Sequence, residues 1–280
     1  MGRIKEISRK SVHTRKRNPV VYLICEGSET EIRYFKRFRS RGCNIDIIPI
    51  SSQYKSADKL VQKAKATMGN NPYYPEDGDS IWCVFDRDDN SNEVLLRAKQ
   101  SAQKEGYHLA YSNPSFELWF LLHFVNQQTE VEDCQALIRL LKQPGRLPDY
   151  EKNKDYFDVL KPLQITAIQR AKTRAGQLQN QDIEPISRQS NPLTTVWELV
   201  EYFHCVHIAQ VLVFASWSYP QTDVNVFDFP SIFKPPCDMC TFRKAFRNFR
   251  IGILFSIQNF RPWRNFQLAR WCQNNFSCLK

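Results

Sequence analysis

The sequence predicts an α/β fold: a mainly parallel four-stranded sheet with helices on both faces, followed by a helical subdomain. Three observations predict it. Short β-branched runs alternate with helix-length amphipathic segments from Pro19 to about Ser112. The runs are apolar at successive positions rather than at alternate ones, as strands covered on both faces require. The connections between them are short, which favours neighbouring strands joined by helical crossovers.

The elements follow in order. Val20-Val21-Tyr22-Leu23-Ile24-Cys25 is the first strand, with Gly27-Ser28 as the turn after it. A helix is expected from about Glu29 to Phe38, with Ile32, Phe35 and Phe38 on one face. Ile45 to Ile50 is a second strand. Ser56 to Met68 is a helix with Leu60, Val61 and Ala64 inward, ending near Gly69. Ile81 to Phe85 is a third strand, Ser91 to Gln103 a helix closed near Gly106, and His108 to Ser112 a fourth, short strand. Beyond it the periodicity is helical: Pro114 to Phe124, Val131 to Leu141, and Gln164 to Gln179 with Ile165, Ile168, Ala171 and Ala175 on a face. A last helix is expected to open at Asn191-Pro192-Leu193-Thr194-Thr195 and run through Phe203, and the loops 142–156 and 180–191 are polar and proline-bearing. The organisation is thus a basic tail (1–18), an α/β core (19–112), a helical part (113–205) and an atypical tail (206–280).

Composition excludes several classes. The chain has 280 residues, 42% hydrophobic and 24% charged, enough to bury a core and unlike a disordered segment. Its 15 prolines and 9 glycines follow no period, which excludes a collagen-like architecture. The longest apolar candidate, Cys205 to Trp217, contains His207 and Gln210 and is too short to span a bilayer. The first 20 residues carry seven Lys/Arg and no apolar block, unlike a secretory signal. The expectation is therefore a cytoplasmic protein without a membrane partner, its nine cysteines free thiols.

The net charge of +10 is unevenly spread. Residues 1–17 hold seven basic side chains (Arg3, Lys5, Arg9, Lys10, Arg15, Lys16 and Arg17) and one acidic one. Residues 206–280 hold nine basic and three acidic, and the stretch between holds 23 basic and 25 acidic. Basic flanks on a near-neutral middle suit a polyanion such as DNA or RNA, or serve as solubilising tails. The seven N-terminal cations would add salt-dependent affinity for phosphates without sequence choice.

Residues 206–280 differ from the rest, with 15 aromatics, one glycine, five of the cysteines counted from Cys205 on, and no glutamate. Interleaved aromatics and arginines are what stacking on single strands needs. Translation in a displaced frame would also leave such a composition, and the missing glutamate and periodicity favour it. Cys237, Cys240, Cys272 and Cys278 offer four zinc thiolates, but the second pair is separated by five residues where two to four are usual.

The acidic residues carry the chemistry. Glu26 follows the first strand in Cys25-Glu26-Gly27-Ser28-Glu29-Thr30-Glu31, Asp86 and Asp88 follow the third in Phe85-Asp86-Arg87-Asp88-Asp89, and Glu117 follows the fourth in Ser112-Asn113-Pro114-Ser115-Phe116-Glu117. Ligands of parallel sheets gather at the carboxyl ends of strands. Carboxylates gathered there repel one another unless a cation intervenes, and oxygen ligands suit Mg²⁺ or Mn²⁺. In an extended Asp-x-Asp both side chains point to one side and reach one ion, and such a metal activates water and stabilises a phosphodiester transition state. Glu26 is placed to bind metal or move a proton. The structural alternative is helix capping, by Asp88 or Asp89 for the helix near Ser91, or by the charge of Glu29.

Glu-Gly-x-x-Thr-Glu after the first strand and Asp-x-Asp after the third resemble the Toprim domain of primases, type II topoisomerases and OLD-type nucleases. The ordered series resembles the RloB/AbiLii family more closely. It comprises Cys25-Glu26-Gly27, Thr30-Glu31, Tyr34-Phe35, Phe85-Asp86-Arg87-Asp88-Asp89, Ser112 to Trp119, His123-Phe124, Tyr150-Glu151-Lys152, Asn191-Pro192 and Thr194-Thr195-Val196. The likeness spans about residues 19–203. It implies a Toprim-like (Rossmann-like) core, a bacterial phage-defence role by abortive infection, an ABC-type ATPase partner encoded nearby, and a Mg²⁺-dependent nuclease. It also implies roles: Glu26 as acid/base or ligand, Asp86 and Asp88 as ligands, Glu31 as a supporting ligand, and Glu117 and Lys152 as supporting groups. The expected activity is hydrolysis of DNA or RNA phosphodiesters; the reading from a different class is a non-catalytic sensor or nucleic-acid-binding subunit working with the ATPase. His123, between Leu122 and Phe124, reads as a satisfied core histidine.

Overall fold

The computed structural model describes residues 19–27, 29–39, 44–49, 56–69 and 71–206. The α/β class is what the chain adopts. Its sheet strands are β1 (Val20–Cys25), β2 (Asn44–Pro49), β3 (Ser80–Asp86), β4 (His108–Asn113) and β5 (Leu193–Thr194), in the order β2-β1-β3-β4-β5. The first four are mutually parallel and β5 is antiparallel to β4. Among the described residues the helices are α1 (Thr30–Lys36), α2 (Ala57–Met68), α3 (Asn92–Glu105), α4 (Glu117–Phe124), α5 (Cys134–Leu141), α6 (Phe157–Leu160), α7 (Gln164–Gln179) and α8, over residues 196–206. None is long and apolar enough to cross a membrane.

The continuous apolar runs become strands because both sheet faces are covered. In β1, Val21, Leu23 and Cys25 enter one core with Trp82, Val84 and Ala110 from β3 and β4, packed against α1, α4, α7 and α8. The alternate residues Tyr22 and Ile24 enter a second core with Ile81, Cys83, Phe85 and Tyr111, packed against α2 and α3. A period of two thus sorts a run without polar positions onto two cores. The segments after β4 share the first core with the sheet, through Phe116, Trp119, Phe120, Leu160, Ala167, Val196 and Phe203.

The structure departs from the sequence expectation in particular places. The sheet has a fifth strand where Leu193 and Thr194 were expected to open a helix. There Thr194 lies opposite Ser112 and Leu193 opposite Asn113. The Thr195 hydroxyl accepts from the Tyr111 N–H at 2.9 Å, and the Thr195 N–H donates to the Tyr111 carbonyl at 2.8 Å. Helix α4 begins three residues after Pro114. Helix α5 begins at Cys134, capped by Asp133, which accepts from the Ala136 N–H at 2.7 Å. Val131 is held apart from it by both amide atoms of Asn191, at 3.1 and 2.7 Å. In α7 the buried face is Gln164, Ala167, Ile168, Ala171 and Leu178, rotated from the expected one. Gln164 turns inward because its amide donates to the buried Tyr34 hydroxyl at 3.0 Å.

The strand order reverses between β1 and β3: the chain goes from β1 outward to β2, then returns to β3 on the other side. Their carboxyl ends therefore border the crevice where parallel sheets bind ligands. The turn after β3 is tied there by Asn90, which is buried. Its Oδ1 accepts from the Ala57 N–H at the head of α2 at 2.9 Å, and its Nδ2 donates to the Arg87 carbonyl at 3.1 Å. Replacing Asn90 by Ala leaves the Ala57 N–H buried and unsatisfied. It is expected to lower unfolding free energy by roughly 1–3 kcal/mol, read as a lower urea midpoint with unchanged slope.

Candidate functional site

Four elements bring acids to this crevice. Glu26 follows β1, half-buried, its backbone N–H extending the ladder to the Val84 carbonyl at 3.0 Å. Glu31 lies in the first turn of α1. Asp86 ends β3, paired in the sheet with Ser112. Asp88 lies two residues on, exposed and in left-handed backbone conformation with φ 37. Glu117 opens α4 and is 2% exposed.

Charge brings Glu31, Asp86, Asp88 and Glu117 into one electrostatic group. Burial first, then repulsion from Glu31, Glu117 and Asp88, pushes the Asp86 carboxyl well above its usual range, and the backbone N–H of Phe116 offsets only part of this. Glu31 is also raised, by burial and by Glu117 and Asp88, against its own backbone N–H and Lys152. Glu117 goes the other way. Burial alone would raise it, but Lys152 and the hydroxyl of Ser115 hold its carboxyl below the usual range.

Glu117 is therefore the neutralised member. Its Oε2 accepts from Ser115 Oγ at 2.8 Å and Cys134 Sγ at 3.3 Å, and its Oε1 accepts from Tyr150 at 3.1 Å and pairs with Lys152 Nζ at 3.2 Å. Burial pulls Lys152 down, yet Glu117 and then Cys134 more than reverse this and raise it. Lys152 is placed by its own loop, whose carbonyl accepts from the Thr30 hydroxyl at 3.0 Å. It is turned onto the acids rather than standing free in a solvated loop.

Gly27 is required by Glu31. A Cβ on Gly27 would collide with both carboxylate oxygens and the Cδ of Glu31, so the carboxylate lies against bare backbone. That is the physical content of Glu-Gly-x-x-Thr-Glu: the glycine clears the space that the second glutamate fills.

The capping alternative does not account for Asp88 or Asp89. Ser91 caps α3, its hydroxyl accepting from the Val94 N–H at 3.4 Å. The reason given for Asp88 also changes: the strand ends at Asp86, so a left-handed turn, not strand alternation, sets Asp88 beside it. Among the described residues, no three His, Cys, Asp or Glu side chains stand in a ready-made metal cage. The donor set itself fits a hard divalent cation: it is all oxygen, and after burial the neighbouring carboxylates push Asp86 and Glu31 up, with Lys152 offsetting part of this at Glu31.

Other expectations resolve simply. His123 is a core residue whose Nδ1 meets the Trp119 carbonyl at 2.8 Å, and burial lowers its pKa to about 4. Cys25, Cys83 and Cys134 are free thiols. Arg3, Lys5, Arg9, Lys10, Arg15, Lys16 and Arg17, the zinc-spaced cysteines and almost all of the 206–280 tail lie outside the described residues. Sequence reasoning missed Ser115, Tyr150 and Cys134 as ligands of Glu117. Ser115, two residues before Glu117, is a local signal; Tyr150 and Cys134 reach Glu117 only through tertiary packing.

Residues 21–203, about two thirds of the chain, match the family described as RloB-like protein. The chain belongs to the RloB-like family. No curated protein matches it. The matched span runs from β1 to α8 and contains Glu26, Glu31, Asp86, Asp88, Glu117 and Lys152.

The charge pattern sets a pH dependence. Asp86 and Glu31 have folded pKa values above their ordinary 3.8 and 4.5. As pH rises through that window the unfolded chain releases protons that the folded chain retains, so stability falls. Glu117, depressed, contributes stability above its ordinary value that is lost as pH falls through its folded one. Asp86→Asn is therefore expected to raise Tm at neutral pH in EDTA and to flatten its decline with pH. Thermal melts between roughly pH 5 and 8 check this; a lower Tm would mean that the contact with Phe116 outweighs the repulsion.

Proposed function

We propose that this RloB-like chain is a metal-dependent nuclease of Toprim type that hydrolyses DNA or RNA phosphodiesters in bacterial phage defence. The observation that carries the reading is the gathering of Asp86, Asp88, Glu31 and Glu117 at the β1/β3 crevice, where burial and then the repulsion of neighbouring carboxylates raise the Asp86 and Glu31 carboxyls. Such repulsion costs stability and serves no packing role, whereas a divalent cation would relieve it. Asp86, Asp88 and Glu31 would hold Mg²⁺ or Mn²⁺, with Glu26 contributed from the end of the neighbouring strand β1. When bound, the ion would lower the pKa of a water and offset charge developing on the phosphodiester.

The chain's own residues divide the remaining work. Glu26, half-buried at the end of β1, is the group proposed to accept a proton from the attacking water. Gly27 keeps the Glu31 carboxylate close to the backbone of the turn. Glu117, held below its usual range, stays ionised, and with Lys152 forms a fixed pair at the inner wall of the site. The basic N-terminal residues would hold the polyanion by its phosphates.

The second reading is a non-catalytic subunit that senses or recruits through a partner ATPase. The lack of a ready-made three-ligand cage among the described residues, and the engagement of Glu117 by Lys152, favour it. Cleavage assays with Mg²⁺ or Mn²⁺ across duplex DNA, tRNA and single-stranded RNA separate the two. The nuclease reading expects cutting in at least one substrate, and a Mg²⁺-dependent rise in Tm. Asp86→Ala is expected to abolish both while leaving the circular dichroism spectrum unchanged. If neither metal shifts the Tm and nothing is cut, with the genomic partner present, the subunit reading stands instead.

A further inference from the structure

Two arginines flank the acidic group and pair with no acid among the described residues. Arg87 lies between Asp86 and Asp88 in sequence, yet its guanidinium makes no ion pair or hydrogen bond with a described residue, and its Nε is enclosed without a partner. Elsewhere arginines find carboxylates readily: Arg33 with Glu29 at 2.7 Å, Arg37 with Asp158 at 2.7 Å, Arg97 with Asp58 at 3.0 Å. Arg188, exposed, donates Nη1 to the Asn90 carbonyl at 3.0 Å and the Asp88 carbonyl at 3.4 Å, both on the turn that carries Arg87, and pairs with no described carboxylate. Its backbone N–H is held by Asn92 Oδ1 at 2.8 Å at the head of α3. The carbonyl ties set the Arg188 guanidinium on the turn that carries Arg87, and the Tyr111 phenol, which donates to the Ser187 carbonyl at 2.8 Å, feels both cations.

A guanidinium left with unused donors in an enclosed place is costly unless an acceptor arrives, since burial without a partner forfeits hydration. A second cation tied to the same turn adds repulsion. An anion with several oxygens removes both costs, and the planar donor fork of arginine matches a phosphate. The position matters as well. Acids that collect a metal would repel an approaching polyanion, and cations beside them counter that repulsion locally.

We propose that Arg87 and Arg188 form a phosphate-binding pair that takes a backbone phosphate of a polynucleotide beside the acidic group. The choice of a polynucleotide rests on the nuclease reading; the affinity for phosphate does not. Arg188, exposed and tied by Nη1 to the turn after β3, has donors left over for the anion, and Arg87 supplies the inner half of the pair.

The test uses the full chain in EDTA, so that it is independent of metal and cleavage. Inorganic phosphate is titrated while Tm is followed, and a fluorescent single strand is bound across a range of salt. Phosphate is expected to raise Tm, and Arg87→Gln or Arg188→Gln to flatten that rise. Each variant is expected to reduce the slope of log affinity against log salt by about 0.7. Arg188→Gln also loses its carbonyl ties, so the readout is the difference between Tm with and without phosphate. Arg87→Lys keeps the charge and guards against a misfolded Gln variant; a phosphate shift smaller than native is expected, and a native-sized one overturns the forked contact. Native phosphate shifts and salt slopes in both Gln variants overturn the pair. If the native chain cuts nucleic acid in Mg²⁺ while the Gln variants keep native phosphate binding, the pair fails and the nuclease reading survives. If nothing is cut but the phosphate shift vanishes in the variants, the pair stands as an anion site alone.

Discussion

The repulsion among carboxylates at the carboxyl edge of the sheet is the constraint around which this region is organised. Asp86, half-buried at the end of a central strand, is raised first by desolvation and then by Glu31, Glu117 and Asp88. The surroundings answer it unequally. Lys152, Ser115, Tyr150 and Cys134 all turn to Glu117 and settle it as an ionised group. Asp86 receives little beyond the Phe116 N–H at the head of α4. A fold that wanted only stability would distribute its donors more evenly, and the imbalance is what the proposed cation would relieve.

The packing makes that imbalance sustainable. The site draws on β1, α1, β3, α4 and the loop of residues 150–152, all attached to one hydrophobic core on one face of the sheet. Aromatic rings line that attachment: Tyr34 meets Phe116 and Phe120 edge-on or tilted, and Tyr150 stacks on Tyr156 at 5.4 Å. Rigid side chains of this size hold α1 and α4 at fixed separation, so their acids cannot drift apart to relieve the repulsion. The other face, with α2 and α3, carries the tie from Asn90 that holds the turn after β3 in place.

Much of the fold was legible because each strand is a continuous apolar run and each helix an amphipathic one. Leu60, Val61 and Ala64 face inward in α2 as their spacing indicates, and Gly106 closes α3 in left-handed conformation. What escaped has no local signature. Leu193-Thr194 is too short to show alternation and becomes a strand only because β4 offers an open edge. The buried face of α7 was misphased because Gln164, a polar residue, is buried by its bond to Tyr34. For the site, strand-end position alone pointed to Asp86 and Glu117. The fate of each acid could not be read that way, since Lys152 and Tyr150 reach Glu117 from 35 and 33 residues away in the chain.

The fifth strand sets a timetable. Ser112 and Thr194, whose hydroxyls meet at 3.0 Å, are 82 residues apart in the chain. At ribosomal speeds of about 5–20 residues per second, β4 emerges roughly 4–16 s before its partner exists. During that interval its outer backbone groups lack their final mates, and an unpaired strand edge is a template for unwanted pairing. The last few residues of the matched region are therefore the seal on a sheet begun long before, and a nascent chain stalled in the interval would be the sticky species in the cell.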